Sequence, residues 1–485
     1  MKNTKMATIL ILFAYLLAGC GGEAAAPETS APDTTTAPAP ETELTDGLEG
    51  YDFDGRTFRI VYSADQLGAA WPYDAETENG DLLNDKVFAR NTAVEERFNV
   101  SIEMYSTGGT TGEVPTALLN SIMAGDGEYQ LAISHTFNRV PTLISEAALA
   151  DFNQVPNIDL EKPWWNASVR NNLSILGILP IGVSDHVYSY ADVIYVNRDL
   201  MEEFKLEDTY DLVNDGRWTW TKLSEMAKAV SSDVNGDGQF KKGDRFGFTF
   251  PGETESLTSR MIHSNGMLLA ELNEEGLPVP MQMSDRLQTT IERYYDLLYT
   301  GNQTYIGTKT DASTSVEAFI EGNILFMHQT TLQLPSMRNT DVNFGIVPLP
   351  KFDEAQENYM SMLSSQILLI PNVDDAELEF IGTITEALSY ESWKHVTPAV
   401  YESIFENKYL RDATSYEMYQ QIRDSLVCDF NWNYGESNAL TYLIRDVVYK
   451  GKSTDVSSKL ASVTPAVQKK YDALIESVRE NYLKN

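Results

Sequence analysis

Apolar and polar positions along this chain follow two periods, and the order in which they alternate sets the architecture. Thr57-Phe58-Arg59-Ile60-Val61-Tyr62 alternates with period two and predicts a strand. Residues 84–98 put Val87, Val94 and Phe98 on one helical face, with Asn84 as a cap. A second strand is expected at 100–105. A helix at 115–124 follows, with Leu118 and Ile122 inward and Gly125 as its stop, and then a third strand at 129–134. Strand and helix taking turns in this way predict an α/β lobe on a largely parallel sheet. A second lobe is expected to begin near Pro180, with strands at 193–196 and 246–250, and the chain then offers further strands at 324–327, 344–347 and 367–370. Its helices are expected at 221–230, capped by Thr219 or Thr221, and at 284–299, where Leu287, Ile291, Tyr294 and Leu298 share a face. The end of the chain reads as helical. Its last helix is expected to open at Thr464-Pro465, with Val467, Tyr471, Leu474 and Val478 on one stripe. No short internal repeat is visible.

Ahead of this body the periodicity stops. Lys2 and Lys5 precede an almost wholly apolar run from Met6 to Leu17, and Leu17-Ala18-Gly19-Cys20 follows. The run is short for a membrane span and has the flanks of an export signal. The small residues before Cys20 look like a bacterial lipoprotein processing site. That resemblance implies a signal peptide at 1–19, cleavage before Cys20, lipid on its sulfur, and a body anchored to the outer face of the cell membrane. Residues 23–43 are rich in Ala, Pro, Thr and Glu, with Pro27, Pro32, Pro38 and Pro40, and carry almost no large apolar side chain. Such a stretch cannot bury enough surface to fold and reads as a stalk, with the folded body starting near Tyr51.

The length of 485 residues exceeds what one core supports, so two or three lobes are expected. With 36 Lys and Arg against 71 Asp and Glu, the net charge of -35 argues against nucleic acid or anionic lipid as a partner. It suits an exported protein that binds cations or neutral molecules. The two cysteines are Cys20 and Cys428. If Cys20 carries lipid, no internal disulfide can form, and stability rests on the core.

One short stretch carries recognisable chemistry. Asp233-Val234-Asn235-Gly236-Asp237-Gly238-Gln239 leads to Asp244. Asp233, Asn235 and Asp237 supply oxygens at positions one, three and five of a twelve-residue loop, with Gly238 at the sharp turn. Gln239 offers a backbone carbonyl, and Asp244 closes the set where Glu is usual. This is the oxygen cage that Ca²⁺ requires, and its expected role is structural, pinning the 221–230 helix to the 246–250 strand. Catalytic signatures are missing: the chain has no His-Glu-x-x-His, Gly-x-Ser-x-Gly or Cys-x-x-Cys. Gly451-Lys452-Ser453 resembles the end of a phosphate loop, but Asp446 stands where that loop needs Gly. The five histidines lack metal-ligand spacing. No enzyme is expected.

Several stretches, in this order, resemble the bacterial extracellular solute-binding proteins of ABC importers. They are Gly80-Asp81-Leu82-Leu83-Asn84-Asp85, Arg90-Asn91 with Val94-Glu95-Glu96, and Met123-Ala124-Gly125-Asp126. Pro163-Trp164-Trp165, Ile194-Tyr195-Val196-Asn197-Arg198-Asp199-Leu200 and Asp215-Gly216-Arg217-Trp218-Thr219-Trp220 come next, followed by Phe344-Gly345-Ile346-Val347-Pro348-Leu349-Pro350-Lys351 and Arg411-Asp412 with Ser415 and Met418. The branch is similar to the carbohydrate-type, maltose-binding group. The resemblance implies an α/β, two-lobed periplasmic-binding-protein-like fold with an interlobe cleft and a helical C-terminal part. Lobe one is expected at 51–177 plus 329–366, and lobe two at 178–328 plus 367–485.

It further implies a solute, expected to be a sugar, bound where loops leave the strand ends and handed to permease subunits in the membrane. Sugars need aromatic platforms and polar side chains. On position at strand ends the candidates are Asp65 and Trp71, Phe137 and Arg139, Glu253, and Thr330, with Trp432 and Tyr434 as the C-terminal platform. Trp164, Trp165, Trp218 and Trp220 open helices and read as packing. A receptor for a peptide or another polar solute, or a surface lipoprotein that binds polysaccharide, fits the same residues.

Overall fold

The computed structural model describes residues 44–484 apart from 64–71, 109–111, 136–138, 188, 252–254, 307–312, 406–409, 411–412 and 436–438. Within the unit Asp46–Asn485, ten strands build two five-stranded sheets. They are β1 (Arg56–Tyr62), β2 (Val100–Ser106), β3 (Leu131–His135), β4 (Ser189–Tyr190), β5 (Asp192–Asn197), β6 (Phe246–Phe250), β7 (Thr304–Ile306), β8 (Ile324–Thr330), β9 (Phe344–Pro348) and β10 (Ser364–Leu369). The first sheet runs β2-β1-β3-β10-β4 and the second β9-β5-β8-β6-β7. In the first, β1 is parallel to β2 and β3, whereas β10 is antiparallel to β3. In the second, β8 and β6 are parallel and β5 is antiparallel to both β8 and β9. The fold is the α/β, two-lobed one that the resemblance implies.

The chain crosses from the first sheet to the second between Tyr190 and Asp192, and returns between Pro348 and Ser364. This redraws the lobe boundaries. Residues 344–348 were expected in lobe one, but β9 pairs with β5 in the second sheet. The expected break at 366 falls inside β10, which pairs as a whole with the first sheet through β3 and β4. Both strands are buried throughout, so neither has a solvent-facing side that says which sheet receives it; long-range pairing decides.

β5 is buried on both faces. Val193 and Tyr195 enter one hydrophobic core, and Ile194 and Val196 enter the other. Helices cover the sheets, and side-chain caps open several of them. Thr219 accepts from the Lys222 amide ahead of Trp220–Val230, and Ser284 does the same for Leu287 ahead of Asp285–Tyr299. The helix Leu82–Phe98 starts two residues before the expected Asn84. Asp81 is its cap, and the Asn84 carboxamide instead donates to the Thr77 carbonyl. The last helix also begins early. It spans Val456–Asn481 with Pro465 inside it, because Asp455 caps the Ser458 amide. Pro465 gives up one backbone hydrogen bond there, and packing of Leu460, Val467, Tyr471 and Val478 outweighs that loss.

Candidate functional site

The crossing between the sheets gathers an unusual set of buried polar groups. Asp192, the first residue of β5, is fully buried and ion-paired with Arg260, which the helix Glu255–Ser264 presents. His328 of the adjacent β8 places Nε2 3.4 Å from Asp192 Oδ1. Burial pushes the Asp192 carboxyl up, but Arg260 and His328 together hold it below the usual carboxylate range. The Tyr190 phenol is raised by burial and faces Arg260 and the Ser364 hydroxyl. The Arg260 guanidinium carbon lies 5.5 Å from the centre of the Trp432 ring.

Trp432 is held in place from below. Asp429 caps the short helix Phe430–Tyr434 by accepting from the Trp432 amide at 2.9 Å. The other Asp429 oxygen takes the Leu269 amide at 2.6 Å and faces His263 Nε2 at 3.1 Å. Trp432 is 4% exposed, yet it belongs to neither hydrophobic core. The indole is thus buried with a cation over one face.

The expected site residues fare differently. Thr330 closes β8 directly opposite Asp192 and is brought to the crossing, its carbonyl accepting from the Tyr195 phenol at 2.9 Å. Trp432 is brought there too. Tyr434 is not: it is 2% exposed, packs against Phe430 and donates its hydroxyl to the Leu173 carbonyl, so it belongs to the core. Arg139 is exposed after β3 and donates to Thr116 Oγ1 at 2.9 Å. Asp65, Trp71, Phe137 and Glu253 lie outside the described residues. Trp164, Trp165, Trp218 and Trp220 are buried, in keeping with packing. Sequence reasoning missed Asp192, Arg260, His328 and Tyr190. A weak signal existed, since Asp192 and His328 are the acidic and basic side chains of two strands otherwise without Asp, Glu, Lys, Arg or His.

The loop from Asp233 to Asp244 is closed by a backbone bridge between Ser232 and Arg245. Gly236 and Gly238 take positive φ of 70° and 78°, which the tight turn requires. The two Asp233 oxygens accept from the Gly236 and Gly238 amides at 2.7 Å each, and Asn235 Oδ1 from the Asp237 amide at 2.9 Å. Asp237 accepts from the Gln239 amide and pairs with Lys241, while buried Asp244 takes the Val234 and Lys241 amides. The donor types suit a hard cation. In this arrangement, however, their oxygens serve the loop's own amides. Among the described residues no group of three or more His, Cys, Asp or Glu is placed to hold a metal ion.

The sequence profile of the bacterial extracellular solute-binding protein family matches residues 89–398, more than half of the chain. The chain belongs to that family. Solved structures agree on the fold of this solute-binding protein. A cyclo/maltodextrin-binding protein complexed with maltotetraose is similar at 13% identity and TM-score 0.55, over 88% of this chain and 98% of that one. A solute-binding protein from Thermotoga lettingae, bound to α-D-tagatose, matches at 13% and 0.53, over 86% and 100%. The maltose/maltodextrin-binding domain from Bdellovibrio bacteriovorus, bound to maltotriose, matches at 12% and 0.52, over 87% and 100%. Comparison with curated protein sequences gave no match. No helix among the described residues is long and apolar enough to cross a membrane.

Proposed function

We propose that this chain is a lipid-anchored receptor that binds a carbohydrate, of oligosaccharide size, between its lobes and delivers it to the permease of an ABC importer. The observation that carries this reading is Trp432, a buried indole that faces Arg260 outside both hydrophobic cores. Trp432 would cover the apolar face of a sugar ring. Arg260, Thr330 and Tyr190 supply donors and acceptors for hydroxyls beside it. The protein takes part as a binder, not as an enzyme. The sugars bound to its structural relatives support a carbohydrate over a peptide. The lipid anchor rests on Leu17-Ala18-Gly19-Cys20 alone.

The loop at 233–244 is proposed as a structural Ca²⁺ site, on the spacing of Asp233, Asn235, Asp237, Gln239 and Asp244. Calcium there would have to draw Asp237 away from Lys241. The experiment for the main reading is calorimetry of the full-length chain in detergent against mono- and oligosaccharides, short peptides and polyamines. Saturable binding of an oligosaccharide supports the receptor. Binding to a peptide alone replaces the solute class. Binding only to insoluble polysaccharide favours a surface-capture lipoprotein.

A further inference from the structure

The crossing strand has a second face. Tyr190 and Asp192 point to the Arg260–Trp432 group, as the preceding geometry shows. Val187, Ser189 and Ala191, the alternate positions, line a separate cavity of about 110 Å³. Period-two alternation through β4 into β5 puts these two sets on opposite sides of the strand. The returning segment contributes Leu363 to the same cavity, and the helices Thr397–Phe405 and Ala413–Asp424 close it. The volume exceeds what a single water needs, roughly 10–15 Å³.

Its polar groups have chemistry left to satisfy. Asp185 Oδ2 is buried and has no hydrogen-bond partner. Arg423 lines the same space, with its guanidinium carbon 5.1 Å from the Tyr401 ring centre, and it makes no ion pair or hydrogen bond with any described residue. Two opposite charges thus face one cavity without touching. The Asp185 carboxyl has Thr397 as a hydrogen-bond partner but no cation in contact, and a carboxylate and a guanidinium held apart in a shared cavity forgo the attraction that would offset their desolvation. Burial raises the Asp185 carboxyl to about 6, with Arg423 opposing that rise. Val400, Ile422, Leu363 and Leu426 give the same cavity an aliphatic wall.

We propose that this cavity is a second binding site, separate from the solute cleft, for a small apolar α-amino acid. Its carboxylate would be taken by Arg423, its ammonium by Asp185, and its side chain by the aliphatic wall. A zwitterion supplies a counter-charge to each group at once, which a neutral polyol does not. Residues from both chain crossings line the site, so an occupant would touch the segments about which the lobes turn.

The test is calorimetry of the full-length chain in detergent with glycine, alanine and valine, and with glycerol as the neutral probe. Valine or alanine should bind more tightly than glycine, and glycerol should not bind. Arg423→Gln and Asp185→Asn should each weaken alanine binding at least tenfold, while oligosaccharide binding persists. If either variant fails to fold by circular dichroism, Ser189→Leu, which fills the cavity and leaves both charges, should abolish amino-acid binding. No binding of any amino acid overturns the proposal. So does amino-acid binding that survives these variants but is lost in Trp432→Ala, which would place the ligand in the cleft and count against the carbohydrate reading instead.

Discussion

Arg260 stacks over Trp432 with its guanidinium carbon 5.5 Å from the ring centre, while the same guanidinium is ion-paired to Asp192. The indole is thereby held with one face against a fixed cation. If Trp432 is the sugar platform, Trp432→Ala should lower oligosaccharide affinity tenfold or more, about 1.4 kcal/mol. Trp432→Phe, which keeps a ring, should recover part of it. Calorimetry on the three proteins decides; equal affinities would remove Trp432 from the site.

The Arg260–Asp192 pair makes a separate prediction about stability. Both side chains are essentially excluded from water. Arg260→Ala strands a buried carboxylate and should cost about 3–5 kcal/mol in denaturant unfolding. Arg260→Met with Asp192→Asn removes both charges and should regain much of that loss. A double variant no better than Arg260→Ala would mean that packing, not charge, sets the cost.

Glu386 sits fully buried in the helix Asp375–Glu391 and accepts from the Trp164 and Trp165 indoles at 2.9 and 2.7 Å. Burial raises its carboxyl from 4.5 to about 7, and the two indole hydrogen bonds only partly oppose the rise. In the folded state it therefore binds its proton more tightly than in the unfolded chain. Its contribution is full below pH about 4.5 and is lost as pH rises to about 7, by on the order of 3 kcal/mol. Unfolding measured across that window should show stability falling with pH, and Glu386→Gln should flatten this part of the profile. An unchanged slope in Glu386→Gln would assign the dependence to other groups.

β6 shows how much of this fold is legible in its sequence. Phe246-Gly247-Phe248-Thr249-Phe250 reads as a strand from composition alone, and the structure has the same limits. The cap Thr219 was equally local and equally visible, whereas Ser284, expected as the first residue of its helix, is the cap before it. The crossing was not. β4 is two residues long, and nothing in Ser189-Tyr190 says that it pairs with Ser364 and Ser365, far along the chain. The site inherits that blindness. Arg260 meets Asp192 only because a helix after β6 folds back on the start of β5, a contact no periodicity encodes. Trp432 could be singled out because its stretch resembles the C-terminal aromatic platform of sugar-binding relatives; its cationic partner could not.

Gly247 tests the packing of that same strand. A Cβ built there would stand 2.1 Å from the Ala227 carbonyl oxygen and 2.2 Å from its Cα, so the helix Trp220–Val230 lies directly on the strand backbone. Gly247→Ala should cost at least about 1–3 kcal/mol, read as a lower denaturation midpoint. Because the clash is with backbone atoms, adding Ala227→Gly should not restore stability. Rescue by that second change would show the contact to be side-chain packing.

The 233–244 loop gives the last prediction, and the competition between a cation and Lys241 makes it specific. Lys241 already neutralises Asp237, and the loop is held closed by the Ser232–Arg245 bridge. If calcium binds, it stabilises the folded state by about 2.7 kcal/mol at a hundred times its dissociation constant. Millimolar CaCl2 should then raise the melting temperature of the full-length chain in detergent, and chelator should reverse the shift. Asp237→Ala should abolish the response. Lys241→Met removes the competing ammonium and should tighten calcium binding. A melting temperature indifferent to calcium in both the native chain and Lys241→Met would make this loop a hydrogen-bonded turn that needs no ion, its carboxylates already occupied by Gly236, Gly238 and Lys241.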